Sequence, residues 1–201
     1  MGKLSQLLKR IKKSKQIIRM TLVGDSAVGK TSIIQALKQK TANYKNKSIA
    51  DNILKNKEPI RTTFMEIETW AHKDLVFQCY DLAGKRIPGS HPLDLMRNQV
   101  IKFIDIYIFV FSVDVYKSLE NINNWIELMD LKSSNINGNS GLVLVGNKID
   151  LERKISTELF KSIVGKDKFF QKYVETCSLD GKGIGNLLDE ITNLGYKLLN
   201  N

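Results

Sequence analysis

The chain has 201 residues, 42% hydrophobic and 26% charged, enough for one compact domain with a real core and little room for a second. Its formal net charge of +10 calls for an acidic partner of some kind, while the longest apolar run, 104–115, is interrupted by Asp105 and Asp114 and is too short to cross a bilayer. Cys79 and Cys177 are the only cysteines, which reads as two reduced core thiols of a cytosolic protein and excludes a disulfide-built scaffold.

In chain order, residues 1–19 stand apart. Lys3, Lys9, Arg10, Lys12, Lys13, Lys15 and Arg19 are basic and no acid precedes Asp25, while Leu4, Leu7, Leu8 and Ile11 share one helical face. Such a basic amphipathic extension suits an anionic membrane surface, each basic residue contributing about 1 kcal/mol there. A helix packed on its own domain is the other reading. The expected location is the cytoplasm, with peripheral contact to the cytosolic face of a membrane. From here the pattern alternates: a strand over 17–23, a helix over 31–40, two strands over 65–70 and 75–80 joined by "AHKD", and buried strands over 104–113 and 142–145. Helices are expected over 118–131 and 184–199, and "KYV" reads as a last strand. Strands alternating with helices predict an α/β fold with a mostly parallel sheet covered on both faces. The Lys-, Asn- and Ser-rich segments 42–59 and 132–141 read as loops.

Three motifs fall at strand ends. Gly24-Asp25-Ser26-Ala27-Val28-Gly29-Lys30-Thr31, followed by Ser32, fits G-x-x-x-x-G-K-[ST] between a strand and a helix. Glycines let backbone N–H groups turn inward around a diphosphate, and the helix N-terminus adds partial positive charge. Lys30 then reaches the outer phosphates, and the Thr31 hydroxyl can ligate Mg²⁺. Asn147-Lys148-Ile149-Asp150 follows the strand "GLVLVG". There Asp150 can accept from both N1–H and the 2-amino group of guanine. Adenine lacks that pair and would leave the carboxylate unpaired, a penalty that can reach roughly 10⁴-fold. Asn147 can bind the outer edge of the base, and the Lys148 stem can cover a ring face. Between them, in Asp81-Leu82-Ala83-Gly84, the aspartate can hold Mg²⁺ through a water and the Gly84 N–H can sense a terminal phosphate.

With these residues in this order, the chain resembles the Ras superfamily of small GTPases over 17–199. "GDSAVGKT" and "SLENINNWI" (118–126) look Rab-like, whereas "TTFMEIETW" (62–70), "YDLAGKR" (80–86) and "SHPLDLM" (90–96) look like the Roc domains of Roco proteins. The resemblance implies a P-loop G-domain over 20–200, with a six-stranded sheet, GTP/GDP and Mg²⁺ as ligands, and two nucleotide-sensing switches. It also implies effector, exchange-factor and GTPase-activating partners. The initiator Met and short ends favour a complete small GTPase over a module of a larger protein.

Several positions depart from the family pattern. Thr62 best matches the first-switch threonine that binds Mg²⁺ and contacts the terminal phosphate, with Thr63 as the alternative. The spacing from Thr31 is longer than the family's, so either 42–59 is an inserted loop, the preferred reading, or Thr62 merely starts a strand. Tyr44 is a candidate to stack on the base edge. Lys85 stands where most relatives place a glutamine that orients the attacking water, so slow hydrolysis is expected, with Lys30, Thr62 and Gly84 carrying the chemistry. Arg86 and His91 read as solvated neighbours. In "ETCSL" (175–179) either Cys177 or Ser178 takes the place of the family's serine at the base, and Ser178 with Leu179 is the preferred pair. A hydrolysis-impaired, nucleotide-bound interaction module is the alternative function. N-K-x-D argues against a small-molecule kinase. Nucleic acid is not an expected partner, because the excess charge lies largely in 1–19 and the Lys/Asn loop without interleaved aromatics.

Overall fold

The computed structural model of the protein describes residues 16–42, 65–82, 103–131, 140–156, 160 and 169–200. Of the expectations above, those on the N-terminal extension before Gln16, Tyr44, the remainder of the 42–59 insert, Thr62, Thr63, Gly84, Lys85, Arg86 and His91 lie outside the described residues.

The elements are β1 (Gln16–Val23), α1 (Lys30–Thr41), β2 (Met65–His72), β3 (Leu75–Leu82), β4 (Ile106–Ser112), α2 (Tyr116–Glu120), α3 (Ile122–Leu128), β5 (Gly141–Asn147), β6 (Lys172–Thr176) and α4 (Ile184–Leu199). The strands form one six-stranded sheet in the order β2-β3-β1-β4-β5-β6. β2 and β3 pair antiparallel as a hairpin, and every other pairing is parallel. β1 is central because it is buried on both sides of the pleat. β1 begins one residue before the strand expected over 17–23, with Gln16 to Arg19 pairing with Leu75 to Gln78, so the sheet starts inside the basic segment 1–19.

The period-two alternation of each strand divides the core into two. On β4, Ile106, Ile108 and Val110 join Ile33, Ile34 and Leu37 of α1 and Ile184, Leu187, Leu188 and Ile191 of α4. Tyr107, Phe109 and Phe111 point the other way, to Leu119 of α2 and Ile122, Trp125 and Ile126 of α3. Apolar residues at both parities are what a parallel strand covered by helices on both faces needs.

The helix expected over 118–131 is shifted and divided into α2 and α3. It starts earlier because Ser118 lies within the first turn, where its hydroxyl donates to the Val115 carbonyl at 2.6 Å and accepts from the Ser112 N–H at 3.0 Å. It stops earlier because Asp130 adopts φ 55°, with Asp130 N–H bonded to Glu127 C=O at 3.0 Å and Leu131 N–H to Ile126 C=O at 3.1 Å. That paired pattern is a Schellman ending, closed by the buried Leu131 and Ile126. Leu131 is thus the cap contact of the helix, not its last residue.

Candidate functional site

Parallel strands bring the chain's motifs to one end of the sheet, where loops leave the C-terminal ends of β1, β3, β5 and β6. In open α/β sheets this edge is where ligands bind. The chain runs from β1 to β3 on one side and returns past β1 to β4 on the other, so the loop after β1 sits at the reversal of strand order.

That loop, residues 24–29, is shaped by two glycines that nothing else can replace without strain. Gly24 has φ 149°, and a Cβ there would meet the Val110 carbonyl oxygen at 2.1 Å; Gly29 has φ 99°, and its Cβ would meet Asn147 Nδ2 at 2.2 Å. The first helical bond of α1 runs from the Ile33 N–H to the Gly29 carbonyl at 2.9 Å, so the first-turn amides of Lys30, Thr31 and Ser32 face out of the helix end toward the loop. No acidic residue occupies that first turn.

Lys30 is 7% exposed, and its ammonium folds back over the loop to donate to the Gly24 carbonyl at 3.0 Å and the Asp25 carbonyl at 2.9 Å. Burial lowers its pKa to about 8, partly offset by the carboxylates of Asp81 and Asp25. The Thr31 hydroxyl donates to Asp81 Oδ2 at 2.5 Å. Asp81, near the end of β3, is 1% exposed, so a carboxylate and a hydroxyl converge beside the buried ammonium.

The fully buried Asn147 side chain ties the loops together. Its Nδ2 donates to the Val28 carbonyl at 2.9 Å, and its Oδ1 accepts from the Thr176 hydroxyl at 3.0 Å. Both ends of the amide are thus engaged inside the protein, an arrangement the edge-binding expectation did not include. Beyond it Lys148 takes φ 66° and half-exposes its side chain, Ile149 N–H bonds to Thr176 C=O at 3.3 Å, and Asp150 is exposed to solvent.

The loop after β6 completes the edge. Ser178 Oγ lies 3.5 Å from Asn147 Nδ2, and Leu179 is 86% exposed. Cys177 is buried between the Lys182 carbonyl, which its N–H reaches at 2.9 Å, and the Gly181 N–H, which its carbonyl accepts at 3.0 Å. Burial pushes its thiol pKa up, as it does for Cys79 in β3, so both behave as unreactive core thiols.

The residues 24–32, Asp81, Asn147, Lys148, Asp150, Ser178 and Leu179 therefore share one edge, while Thr62 and Gly84 lie outside the described residues. Asp25 is the departure. Its carboxylate is taken up by side chains of the α2–α3 segment, accepting from Asn121 Nδ2 at 2.7 Å and Trp125 Nε1 at 2.9 Å. Asn121, Trp125 and Thr176 escaped the sequence reading. The spacing of Asn121 and Trp125 placed them on one helical face, but nothing local indicated which loop that face would meet.

Replacing Asn147 by Ala removes the partner of the Val28 carbonyl and the Thr176 hydroxyl together. The expected loss is about 1–3 kcal/mol in urea unfolding, with a lower midpoint and an unchanged slope; an unaltered midpoint would mean that the bridge carries no stability.

A sequence model of the Ras family matches residues 19–196. The chain is similar to the Ras-related protein Rab11B of Nicotiana tabacum, 25% identical over 186 residues covering 91% of this chain and 76% of that protein. It is similar to the Ras-related protein RABG3d of Arabidopsis thaliana, 26% identical over 187 residues covering 90% and 83%. With the Ras-related protein Rab-28 of Caenorhabditis elegans the identity is 27% over 168 residues, covering 82% and 62%.

Proposed function

The chain belongs to the Ras family as a Rab-like small GTPase, and we propose that it is a GTP-binding switch whose own hydrolysis is slow. The observation that carries this reading is the Asn147 bridge, which sets a phosphate-type loop (24–31) at a fixed distance from a guanine-type loop (147–150).

In this reading the amides of Ser26 to Ser32 and the Lys30 ammonium surround the outer phosphates, and Asp150 selects guanine through two accepted hydrogen bonds. Lys148 covers a ring face, and the backbone at Ser178 and Leu179 meets the base carbonyl. The Thr31 hydroxyl and Asp81 carboxylate are hard oxygen donors 2.5 Å apart, a pair that fits Mg²⁺. Thr31, Asp81 and, by its place in the sequence, Thr62 would hold that ion, which when bound supplies neutralising charge to the phosphates. Water attacks the terminal phosphorus, the bond to the bridging oxygen breaks, and GDP and phosphate leave. The protein's part is positioning and charge stabilisation, by Lys30 and by the Gly84 N–H. Loss of the terminal phosphate releases the segments around Thr62 and Gly84, and effectors read the difference, with exchange factors and GTPase-activating proteins setting the balance.

Lys85 sets the rate. Its ammonium has three donors and no acceptor, so it cannot take a hydrogen bond from the attacking water. Single-turnover hydrolysis of bound GTP is expected on the order of 10⁻⁴ s⁻¹ or below, and Lys85→Gln should raise it. Wild-type turnover at or above that of the variant would refute the assignment. Retained GTP with no turnover at all would favour the second reading, a nucleotide-bound interaction module, which Lys85 also supports.

The lowered pKa of Lys30 gives a second test. Polyphosphate favours the charged form and raises that pKa, so binding takes up protons where the empty site has lost them, between about 8 and the ordinary 10.5. GDP affinity should be level below about pH 8 and fall above it. Calorimetry in buffers of different ionisation enthalpy should find net proton uptake at about pH 9 and little near neutrality. Absence of uptake at the higher pH would contradict a direct contact between Lys30 and phosphate.

Residues 1–15 carry Lys3, Lys9, Arg10, Lys12, Lys13 and Lys15 beside the apolar face of Leu4, Leu7, Leu8 and Ile11, and we assign them to an anionic membrane surface. Among the described residues no helix is long and apolar enough to span a membrane. Deleting 1–15, which spares β1, should abolish co-sedimentation with phosphatidylserine vesicles and preserve GDP affinity. Undiminished vesicle binding would refute the assignment.

A further inference from the structure

A carboxylate in a loop that would hold a polyphosphate is an electrostatic liability. Asp25 immediately follows Gly24, and its own backbone carbonyl takes a hydrogen bond from Lys30 at 2.9 Å. Facing inward, its charge would repel the phosphates and compete for that ammonium. Instead both carboxylate oxygens are turned outward onto neutral donors from far along the chain, Asn121 Nδ2 on Oδ2 at 2.7 Å and Trp125 Nε1 on Oδ1 at 2.9 Å.

The helix geometry makes this grip possible. Asn121 lies between α2 and α3 with helical φ −69° and ψ −10°, and the Trp125 N–H bonds to the Asn121 carbonyl at 3.1 Å. Residues four apart on a helix stand one above the other, so both donors face the same carboxylate. Trp125 is 1% exposed and packed among the aromatic residues beneath β4, which makes it a rigid anchor. The contrast is Trp70, whose buried Nε1 has no hydrogen-bond partner among the described residues. Indole N–H bonding is therefore not a general consequence of burial in this fold.

We propose that Asn121 and Trp125 are positioning residues of the phosphate loop, acting through Asp25 to keep its charge off the bound phosphates and its carbonyl under Lys30. The proposal rests on the nucleotide reading above, and it adds that the α2–α3 junction controls how fast nucleotide leaves. Without the two donors, Asp25 rotates inward and the Lys30 contact loosens. Release then accelerates, although no residue touching the nucleotide has changed.

The test measures release of a fluorescent GDP analogue from the full chain. Trp125→Phe keeps the apolar ring and removes the donor, and should speed release about tenfold or more, the scale of one charge-assisted hydrogen bond. In an Asp25→Ala background the same substitution should add nothing. Unchanged release in the single variant, or an equal acceleration in both backgrounds, would overturn the proposal. Should Trp125→Phe fold poorly, Asn121→Ala, at the half-exposed junction, takes its place in the same cycle. A readout indifferent to stability comes from the two indole N–H resonances. Asp25→Ala should move that of Trp125 and leave that of Trp70 in place, and an unmoved Trp125 signal would count against the proposal. If the wild-type chain retains no GDP analogue, the nucleotide reading itself fails; retention with an unaltered variant defeats only the present inference.

Discussion

The amide of Asn147 fixes the distance between two loops that the chain builds from its first and last thirds. One end holds the Val28 carbonyl and the other is held by the Thr176 hydroxyl, both inside the protein. Burial is what gives the bridge its rigidity, because an amide at 0% exposure has no water to exchange partners with and leaving either end unmade is costly. The requirement spreads outward. Gly29 must lack a Cβ because Asn147 Nδ2 occupies that space, and β5 must end beside both β6 and the loop after β1. The observed strand order, with β1 in the middle of the sheet, meets that demand.

Electrostatics around Lys30 follow from the same compactness. The buried ammonium donates to two backbone carbonyls beside two carboxylates, and its pKa is lowered to about 8 because burial outweighs those carboxylates. The two carboxylates play opposite parts in space. Asp81 meets the Thr31 hydroxyl, while Asp25 is held by Asn121 and Trp125. The loop's one ammonium is thus held by its own carbonyls, and its acid by side chains from the α2–α3 segment. Helix packing on one face of the sheet therefore helps set the electrostatics of the loop.

Much of this was legible in the sequence, for a physical reason that differs from element to element. The buried strands declared themselves because a parallel strand covered on both faces is apolar at both parities, and 106–112 and 141–147 fit that pattern. The motifs stood out by residue type and spacing, and the structure brings residues 24–32, Asp81 and 147–150 to one edge of the sheet. Charge was a poorer guide. The basic extension drawn over 1–19 overlaps β1, where Gln16 to Arg19 pair with Leu75 to Gln78; hydrophobic patterning placed that strand over 17–23, one residue short of its observed start. The α2–α3 segment was misplaced at both ends because its limits depend on the Ser118 hydroxyl and on the left-handed Asp130, neither of which periodicity registers. The Asp25 contacts, across 96 and 100 residues of chain, were invisible because only the fold brings the partners together.

The central claim is that one cleft takes a guanine nucleotide, phosphates at 24–31 and base at 147–150. Calorimetric titration of GDP against ADP, on the folded full-length chain with Mg²⁺, tests it most directly. The account predicts one GDP per chain and a preference over ADP on the order of 10⁴-fold. Equal binding of the two, or heat from neither, would contradict it.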